Sequence, residues 1–408
     1  MKCGLLGSKL GHSYSPQIHS YLGDYNYTLF EKQPDALEDF LKSGNFTGLN
    51  VTIPYKKAVI PYCSDLSPRA KKLGAVNTIV RKADGTLIGH NTDYFGFETM
   101  LRSSGLHVAG MKVLVLGSGG ASNTAVAVLK AQGADVAVIS RNGENNYENL
   151  HLHADAAVIV NATPVGMYPN VGASPVDLAL FPRLEGVLDL IYNPARTQLL
   201  LDAESRGLVA CNGLAMLVAQ AKESAEWFIG SAIPDDKIPE IHRTLKAQME
   251  NIILIGMPGS GKTTIGKLVA EITGKTFVDA DECIVKKAGK AIPEIFAQSG
   301  EPGFRTLETE ILAELGKESG LVIATGGGCV TQERNYPLLH QNGTIVWLQR
   351  DIAQLPVDGR PLSQSTDLAQ MYRMRKPLYA RFADRTIVNN GEASAMAEKI
   401  LGILEENL

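Results

Sequence analysis

Lys262 and Thr263 close the run Gly256-Met-Pro-Gly-Ser-Gly-Lys-Thr, a complete G-x-x-x-x-G-K-[ST] pattern. Its chemistry is phosphate binding. The glycines, with Gly259, Ser260 and Gly261 in the turn itself, let backbone N–H groups converge on phosphate oxygens. The lysine meets the β/γ-phosphates, and the Thr263 hydroxyl, followed by Thr264, faces a divalent cation such as Mg²⁺. Downstream, "KTFVDADE" ends with Asp279 and Asp281, and residues two apart on an extended segment share a face. One carboxylate near the metal and one for a substrate hydroxyl suit phosphoryl transfer, where positioning and charge neutralisation do most of the work. The competing reading makes Asp281 a helix N-cap.

A second set of polar residues precedes these. "GSKLGHSYSPQIH" places Ser13 and Ser15 on alternate positions, "GLNVTIPYKK" gives Asn50, Thr52 and Lys56, "GAVNT" gives Asn77 and "GHNTDYFG" gives Asp93. Polar groups gathered at strand ends fit a small, hydroxylated carboxylate better than an apolar ligand. Next, "KVLVLGSGGASNTAVAVLKAQGADVAVISRN" reads as strand, glycine turn, helix and strand. Gly117, Gly119 and Gly120 allow a tight turn and close approach to a pyrophosphate, and the helix that starts near Ala121 offers its N-terminus. NAD-selective sites place an acid at the end of the second strand, whereas here Ser140 is followed by Arg141. An arginine suits a 2′-phosphate, which favours NADP(H). A solvated surface arginine, with Glu144 nearby, is the competing reading.

The elements that must position these residues are short apolar runs (KCGLLG, NYTLFE, GLNVTI, KVLVLG, DVAVIS, AAVIVN, GVLDL, NIILIG, LVIAT, TIVWL) separated by helical patterns. Strands that alternate with helices predict an α/β chain of parallel sheets covered on both faces. Three domains are expected: residues 1–105, completed by C-terminal helices at about 213–249; a Rossmann-like unit at 106–212; and a phosphate-loop domain with a central parallel sheet at 250–408. No Gly/Ser- or Pro-rich linker separates "KIPEIHRTLKAQM" from "NIILIG".

At 408 residues the chain exceeds what a single core accommodates. A net charge of −4, with scattered basic residues, gives no footprint for nucleic acid. No apolar run reaches membrane-span length and no secretory signal is present, so a cytoplasmic, membrane-free protein is expected. Five widely spaced cysteines read as reduced thiols. His151 and His153 in "NLHLHAD" alternate on what reads as a short extended stretch without a third zinc ligand.

Taken together, the phosphate loop, the Asp pair, "IPEIFAQSGEPGFRTLE", "VIATGGGCV", "GRPL" and "MRKPLYARFAD" resemble shikimate kinase from Asn251 onward. The resemblance implies that Lys262 and Thr263 bind ATP and Mg²⁺ with Asp279 near the metal. Asp281, Arg305, Gly327, Gly328 and Arg375 would hold shikimate, and Arg360 of "GRPL" would close over the phosphates. The segment "QRDIAQLPVDG" is shorter than the lid usual in that family.

The polar succession of residues 1 to about 245, with "NATPVGMYP", "DLIYNPARTQLL" and "NGLAMLVAQA", resembles shikimate dehydrogenase. That resemblance implies Lys56 and Asp93 as the catalytic pair. Ser13, Ser15, Thr52, Asn77, Tyr192 and Gln220 would surround the substrate. Asn161, Thr163, Gly213 and Met216 would lie toward the nicotinamide of NADP(H). The stretch from "SRN" to "AAVIVN" leaves room for only an abbreviated crossover. The leading expectation is an enzyme that reduces 3-dehydroshikimate with NADPH and then phosphorylates shikimate with ATP. The alternative is a broad quinate/shikimate oxidoreductase fused to a nucleotide-binding regulatory module.

Overall fold

The computed structural model describes residues 1–11, 13–355 and 368–405; Arg360 lies outside them. Contacts divide the chain into two compact units. One comprises Met1–Gly166, Ala173–Tyr192 and Asp202–Arg243; the other comprises Met167–Gly172, Asn193–Leu201 and Thr244–Leu408.

The first unit contains two sheets. Strands β1 (Lys2–Gly7), β2 (Asn26–Glu31), β3 (Gly48–Val51), β4 (Asp65–Leu66), β5 (Thr78–Arg81) and β6 (Leu87–His90) are ordered β2-β1-β3-β5-β6-β4. Here the expectation of purely parallel sheets needs correcting, because β5 runs antiparallel to both β3 and β6. The cause is local. Asp84 accepts from the Thr86 N–H and hydroxyl at 3.0 and 2.7 Å, and Gly85 sits at φ +86°, so the chain reverses as a hairpin and no helix intervenes.

The second sheet, β7 (Lys112–Leu116), β8 (Asp135–Ile139), β9 (Val158–Asn161), β10 (Gly186–Asp189) and β11 (Val209–Cys211), is parallel in the order β11-β10-β9-β7-β8. β9 and β10 are buried along their whole length, as a sheet covered on both faces requires. The chain leaves β7 toward β8 on one side and returns to β9 on the other, which opens a crevice at the carboxyl end of β7. The crossover between β8 and β9 is abbreviated as expected, with only a 3₁₀ turn at Leu150–His153. His151 and His153 therefore lie on a helical turn, not an extended stretch; β pairing ends at Ile139, so nothing holds them in a strand.

In the second unit β12 (Asn251–Ile255), β13 (Thr276–Asp279), β14 (Leu321–Ala324), β15 (Gly343–Gln349) and β16 (Arg385–Val388) form a parallel sheet, β13-β14-β12-β15-β16. β12 is fully buried and central. One face of the sheet packs Ile253, Ile255 and Trp347 with Phe304 and Tyr379; the other packs Leu254 and Val346 with Ile265 and Ile400. Helix Lys237–Met249 is followed directly by β12, with only Glu250 between. That residue's N–H donates to the Lys246 carbonyl at 2.9 Å and its carboxylate accepts from the Thr344 hydroxyl at 2.6 Å. The Lys275 ammonium donates to the carbonyls of Ala247, Gln248 and Glu250 at 2.7, 3.0 and 2.7 Å, capping the helix end.

Candidate active sites

Lys56 follows β3, and Asp93 begins helix Asp93–Ser104 after β6. The fold brings them together: Lys56 Nζ donates to Asp93 Oδ2 at 2.6 Å. Their side chains retain 24% and 12% of their exposure, so the pair is sheltered yet reachable. The Lys56 carbonyl accepts from the Val76 N–H at 2.8 Å, which ties this loop to Asn77. Asn77 is buried, and its Oδ1 accepts from the Thr92 N–H at 2.8 Å, next to Asp93. Thr52 is half-buried, with its N–H donating to the Leu6 carbonyl at 2.9 Å. Ser13 Oγ accepts from the Ser15 N–H at 3.2 Å, and Ser15 is buried.

Helix Leu214–Ile229 crosses helix Asp93–Ser104 closely. A Cβ on Gly96 would lie 2.7 Å from the Met216 carbonyl oxygen and 3.0 Å from Gln220 Cβ. Met216 and Gln220 are therefore held against the helix that begins with Asp93. Gly213 precedes their helix with its N–H donating to the Ile191 carbonyl at 3.0 Å, and a Cβ there would meet the Leu190 oxygen at 2.1 Å. Tyr192 follows, half-buried and edge-on to Tyr14 with ring centroids 6.1 Å apart; burial pushes its phenol above the ordinary range.

At the crevice of the second sheet Gly117 has φ +103°, and a Cβ there would lie 3.1 Å from both the Ala162 oxygen and Thr163 Cγ2. Gly119 and Gly120 face open space, since a Cβ on either would meet nothing within 4 Å, and helix Gly120–Ala131 begins there. A pyrophosphate fits such a helix N-terminus with bare backbone. Ala121 lies in its first turn. Asn161 Oδ1 accepts from the Thr163 N–H and hydroxyl at 3.0 and 2.7 Å, while its Nδ2 donates to Asp189 Oδ1 at 3.0 Å. Asp189, fully buried, heads the stretch DLIYNPARTQLL and bonds Asn161, a positioning role that the motif did not assign to it. Ser140 and Arg141 follow β8, whose Ile139 carbonyl accepts from the Gly117 N–H at 2.8 Å, with Arg141 exposed and near Tyr147.

In the second unit Gly256, Gly259 and Gly261 take φ of +148°, +83° and +91°, the left-handed values a phosphate loop requires. Lys262 is buried and its Nζ donates to the Gly256 and Met257 carbonyls at 3.0 Å each. The Ser260 hydroxyl is buried without a hydrogen-bond partner. A polar atom orphaned inside a glycine turn suits a phosphate oxygen, so ATP fits this loop. Thr264 lies exposed on the helix that Lys262 opens.

The Asp pair resolves differently from the extended reading. β13 ends at Asp279, and helix Ala280–Ala288 begins at once, so Asp281 lies in its first turn. The N-cap is Asp279, whose Oδ1 accepts from the Asp281 N–H at 3.0 Å. Its other oxygen accepts from the Thr263 hydroxyl at 2.9 Å, placing the two oxygens side by side.

Helix Ile292–Lys317, broken at Gly300 with φ +66°, carries Arg305. Arg305 is buried and forked: Nη1 donates to Glu308 Oε2 at 2.7 Å and Nη2 to Glu301 Oε1 at 3.0 Å. A Cβ on Gly328 would lie 2.1 Å from Arg305 Nη2, and one on Gly326 2.7 Å from Glu308 Oε1 and 2.9 Å from Asp281 Oδ1. The glycine turn after β14 thus leaves room for Asp281, Arg305 and Glu308 to converge. Arg375 Nη1 donates to the Gly327 carbonyl at 3.2 Å from the far side. Cys329, in the same turn, has its thiol pushed up to about 12 by burial and is no nucleophile at neutral pH.

Glu308, Asn389 and the placement of Arg350 were missed from sequence. Arg350 Nη1 donates to the Gly259 carbonyl at 3.3 Å, and Asn389 Nδ2 to the Ser260 carbonyl at 2.7 Å. Only Glu308 carried a local signal, its i,i+3 spacing from Arg305. Among the described residues no cluster of three or more His, Cys, Asp or Glu side chains could hold a metal, and no helix is long and apolar enough to cross a membrane.

Comparison with known proteins bears on both units. The family model for the shikimate dehydrogenase substrate binding domain matches residues 5–79. The NADP(+) shikimate dehydrogenase of Clostridium perfringens is 34% identical over 267 residues, covering 60% of this chain and 98% of that protein. The chain belongs to the shikimate dehydrogenase family. Solved structures agree. The chorismate mutase/shikimate 5-dehydrogenase fusion of Clostridium acetobutylicum is 38% identical with a TM-score of 0.57, covering 60% of this chain and 97% of that one. The Thermus thermophilus shikimate 5-dehydrogenase, solved with NADP(H) and shikimate, is 31% identical with a TM-score of 0.55, covering 60% and 99%. The shikimate kinase family model matches residues 258–405, so the dehydrogenase is fused to a shikimate kinase domain.

Proposed function

We propose that this chain catalyses two consecutive reactions, NADPH-dependent reduction of 3-dehydroshikimate to shikimate and ATP-dependent phosphorylation of shikimate. The observation that carries the first is the Lys56–Asp93 bond at 2.6 Å. NADPH, when bound, supplies the hydride. Lys56 gives a proton to the oxygen that becomes the new hydroxyl. Asp93 accepts from the lysine ammonium and fixes its direction. Ser13 and Ser15 receive the substrate carboxylate, and Thr52, Asn77, Tyr192 and Gln220 face the ring. Gly117, Gly119, Gly120 and Ala121 hold the pyrophosphate. Arg141, with Ser140 before it, takes the 2′-phosphate, and Asn161, Thr163, Gly213 and Met216 border the nicotinamide.

In the kinase domain Lys262 exchanges its two carbonyl acceptors for phosphate oxygens. Thr263 and Asp279 hold Mg²⁺, which supplies charge neutralisation when bound. Asp281 accepts the hydroxyl proton, and Arg305 and Arg375, around Gly327 and Gly328, clamp the carboxylate. The hydroxyl made in the first reaction is the one phosphorylated in the second, so the fusion is chemically coherent. Five free cysteines and these cofactors support a cytoplasmic setting.

The test is to assay the purified full-length chain for both reactions and repeat both with Lys56→Ala. Shikimate oxidation by NADP⁺ should fall roughly a hundredfold or more, with phosphate transfer from ATP to shikimate retained. Wild-type oxidation in this variant would remove the catalytic assignment.

A further inference from the structure

Ser224 stands one helical turn beyond Gln220 and is fully buried among other polar side chains, Asn50, Asn77, Thr78 and Thr92. Such a cluster is tolerated only when every donor finds an acceptor. The hydroxyl of Ser224 donates to the Gln220 carbonyl at 2.6 Å. Its single proton is then committed, and toward every other neighbour it must accept. Asn50 Nδ2 donates to it at 2.7 Å, and the Thr92 hydroxyl, 3.2 Å away, donates as well. With its proton so used, Thr92 Oγ1 accepts from Asn77 Nδ2 at 3.0 Å. The Thr92 N–H and the Thr78 hydroxyl meanwhile donate to Asn77 Oδ1 at 2.8 and 3.1 Å. At the other end the Tyr27 hydroxyl donates to Asn50 Oδ1 at 2.7 Å, and Ser15 bonds to that phenol.

With Thr78 giving its proton to Asn77 Oδ1 at 3.1 Å in preference to Ser224 at 3.3 Å, and Thr92 giving its own to Ser224 at 3.2 Å in preference to Asn77 Oδ1 at 3.3 Å, the protons run one way, from Asn77 through Thr92 into Ser224 and out to the backbone of the helix that carries Gln220. This fixes the amide of Asn77, with its oxygen spoken for and one N–H left over. We propose that Ser224 is a positioning residue of the dehydrogenase. It orients Asn77 as a donor toward a substrate hydroxyl and ties that donor to the turn bearing Gln220. A ring hydroxyl that accepts from Asn77 keeps its own proton for another acceptor, and Asp93, adjacent to Thr92 in the chain, is placed to provide one. The inference rests on the assignment of Asn77 as a substrate contact.

The experiment uses the full-length chain with Ser224→Ala, Asn77→Ala, both together, and Ser224→Thr as the variant that keeps the hydroxyl. kcat and KM are measured for shikimate and for NADP⁺, with kinase activity of the same samples as an internal control. Loss of one buried hydrogen bond predicts that Ser224→Ala raises the shikimate KM about tenfold, with kcat and the NADP⁺ KM within about twofold. In the Asn77→Ala background the same change should shift KM by less than about twofold, because the group it acts through is gone. Ser224→Thr should restore the wild-type KM. Thr92→Val breaks the link while keeping the backbone N–H, and should reproduce the KM increase even where Ser224→Ala fails to fold. Equal effects of Ser224→Ala in both backgrounds, a parallel rise in NADP⁺ KM, or a wild-type KM in Thr92→Val would overturn the inference. A wild-type kcat/KM in Asn77→Ala would instead overturn the substrate contact beneath it.

Discussion

Glu223 sits beside this network with one oxygen bonded to Arg69 Nη1 at 2.7 Å and the other buried without a partner. Burial raises its carboxyl to about 7, against the pull of Arg69. The native state thus keeps a proton that the unfolded chain has already lost between about pH 4.5 and pH 7. Stability should fall as pH rises through that window, because the unfolded state binds fewer protons there. Glu223→Gln removes the titration, so the loss of denaturant stability from pH 5 to pH 8 should shrink by about 1–3 kcal/mol. An unchanged pH dependence would assign it to other groups. At this scale the sequence was most legible where a residue belongs to a local motif. Lys56, Asp93, Lys262 and Arg305 were all recognisable from their motifs. Residues that act on other residues, such as Asp189 and Ser224, were hidden because the side chains they bond lie far away in sequence.

Elements show the same division. The apolar runs located most buried strands, because a strand covered on both faces must be apolar throughout. The short strands β4, β5, β6, β11 and β16 escaped, being two to four residues long and held by pairing more than by composition. The Asp279/Asp281 pair departs from its extended reading because strand and helix meet without a loop, and period-two alternation ends at the first helical residue. Gly96 gives an element-scale prediction. Alanine ordinarily favours a helix by about 1 kcal/mol over glycine. At Gly96, however, the new methyl would meet a backbone oxygen of the crossing helix at 2.7 Å, which cannot rotate away. Separation of the two helices should cost about 1–3 kcal/mol and raise the shikimate KM of the dehydrogenase by displacing Gln220. A variant as stable as wild type with unaltered KM would show that the crossing tolerates the methyl.

For the whole molecule, a dehydrogenase and a kinase domain in one chain predict a one-for-one sequence of products. Supplied with 3-dehydroshikimate, NADPH and ATP, the wild-type chain should consume both cofactors in equal amounts once shikimate reaches steady state. Lys262→Ala should stop at shikimate, with kinase turnover down on the order of a hundredfold or more and NADPH oxidation unchanged. Loss of both activities from this single change would sink the independence of the sites. The fusion itself was legible from the late position of the phosphate loop. What the sequence did not disclose is how firmly the residue before β12 is held. Glu250, the one residue between helix Lys237–Met249 and β12, is held through its N–H, its carbonyl and its carboxylate. Proteases cut where several residues can be drawn out into an extended strand, and this join offers no such length. Nicking at Glu250 would require melting a helix end or the central strand of a sheet, so limited proteolysis should leave this stretch uncut for as long as the kinase sheet is folded.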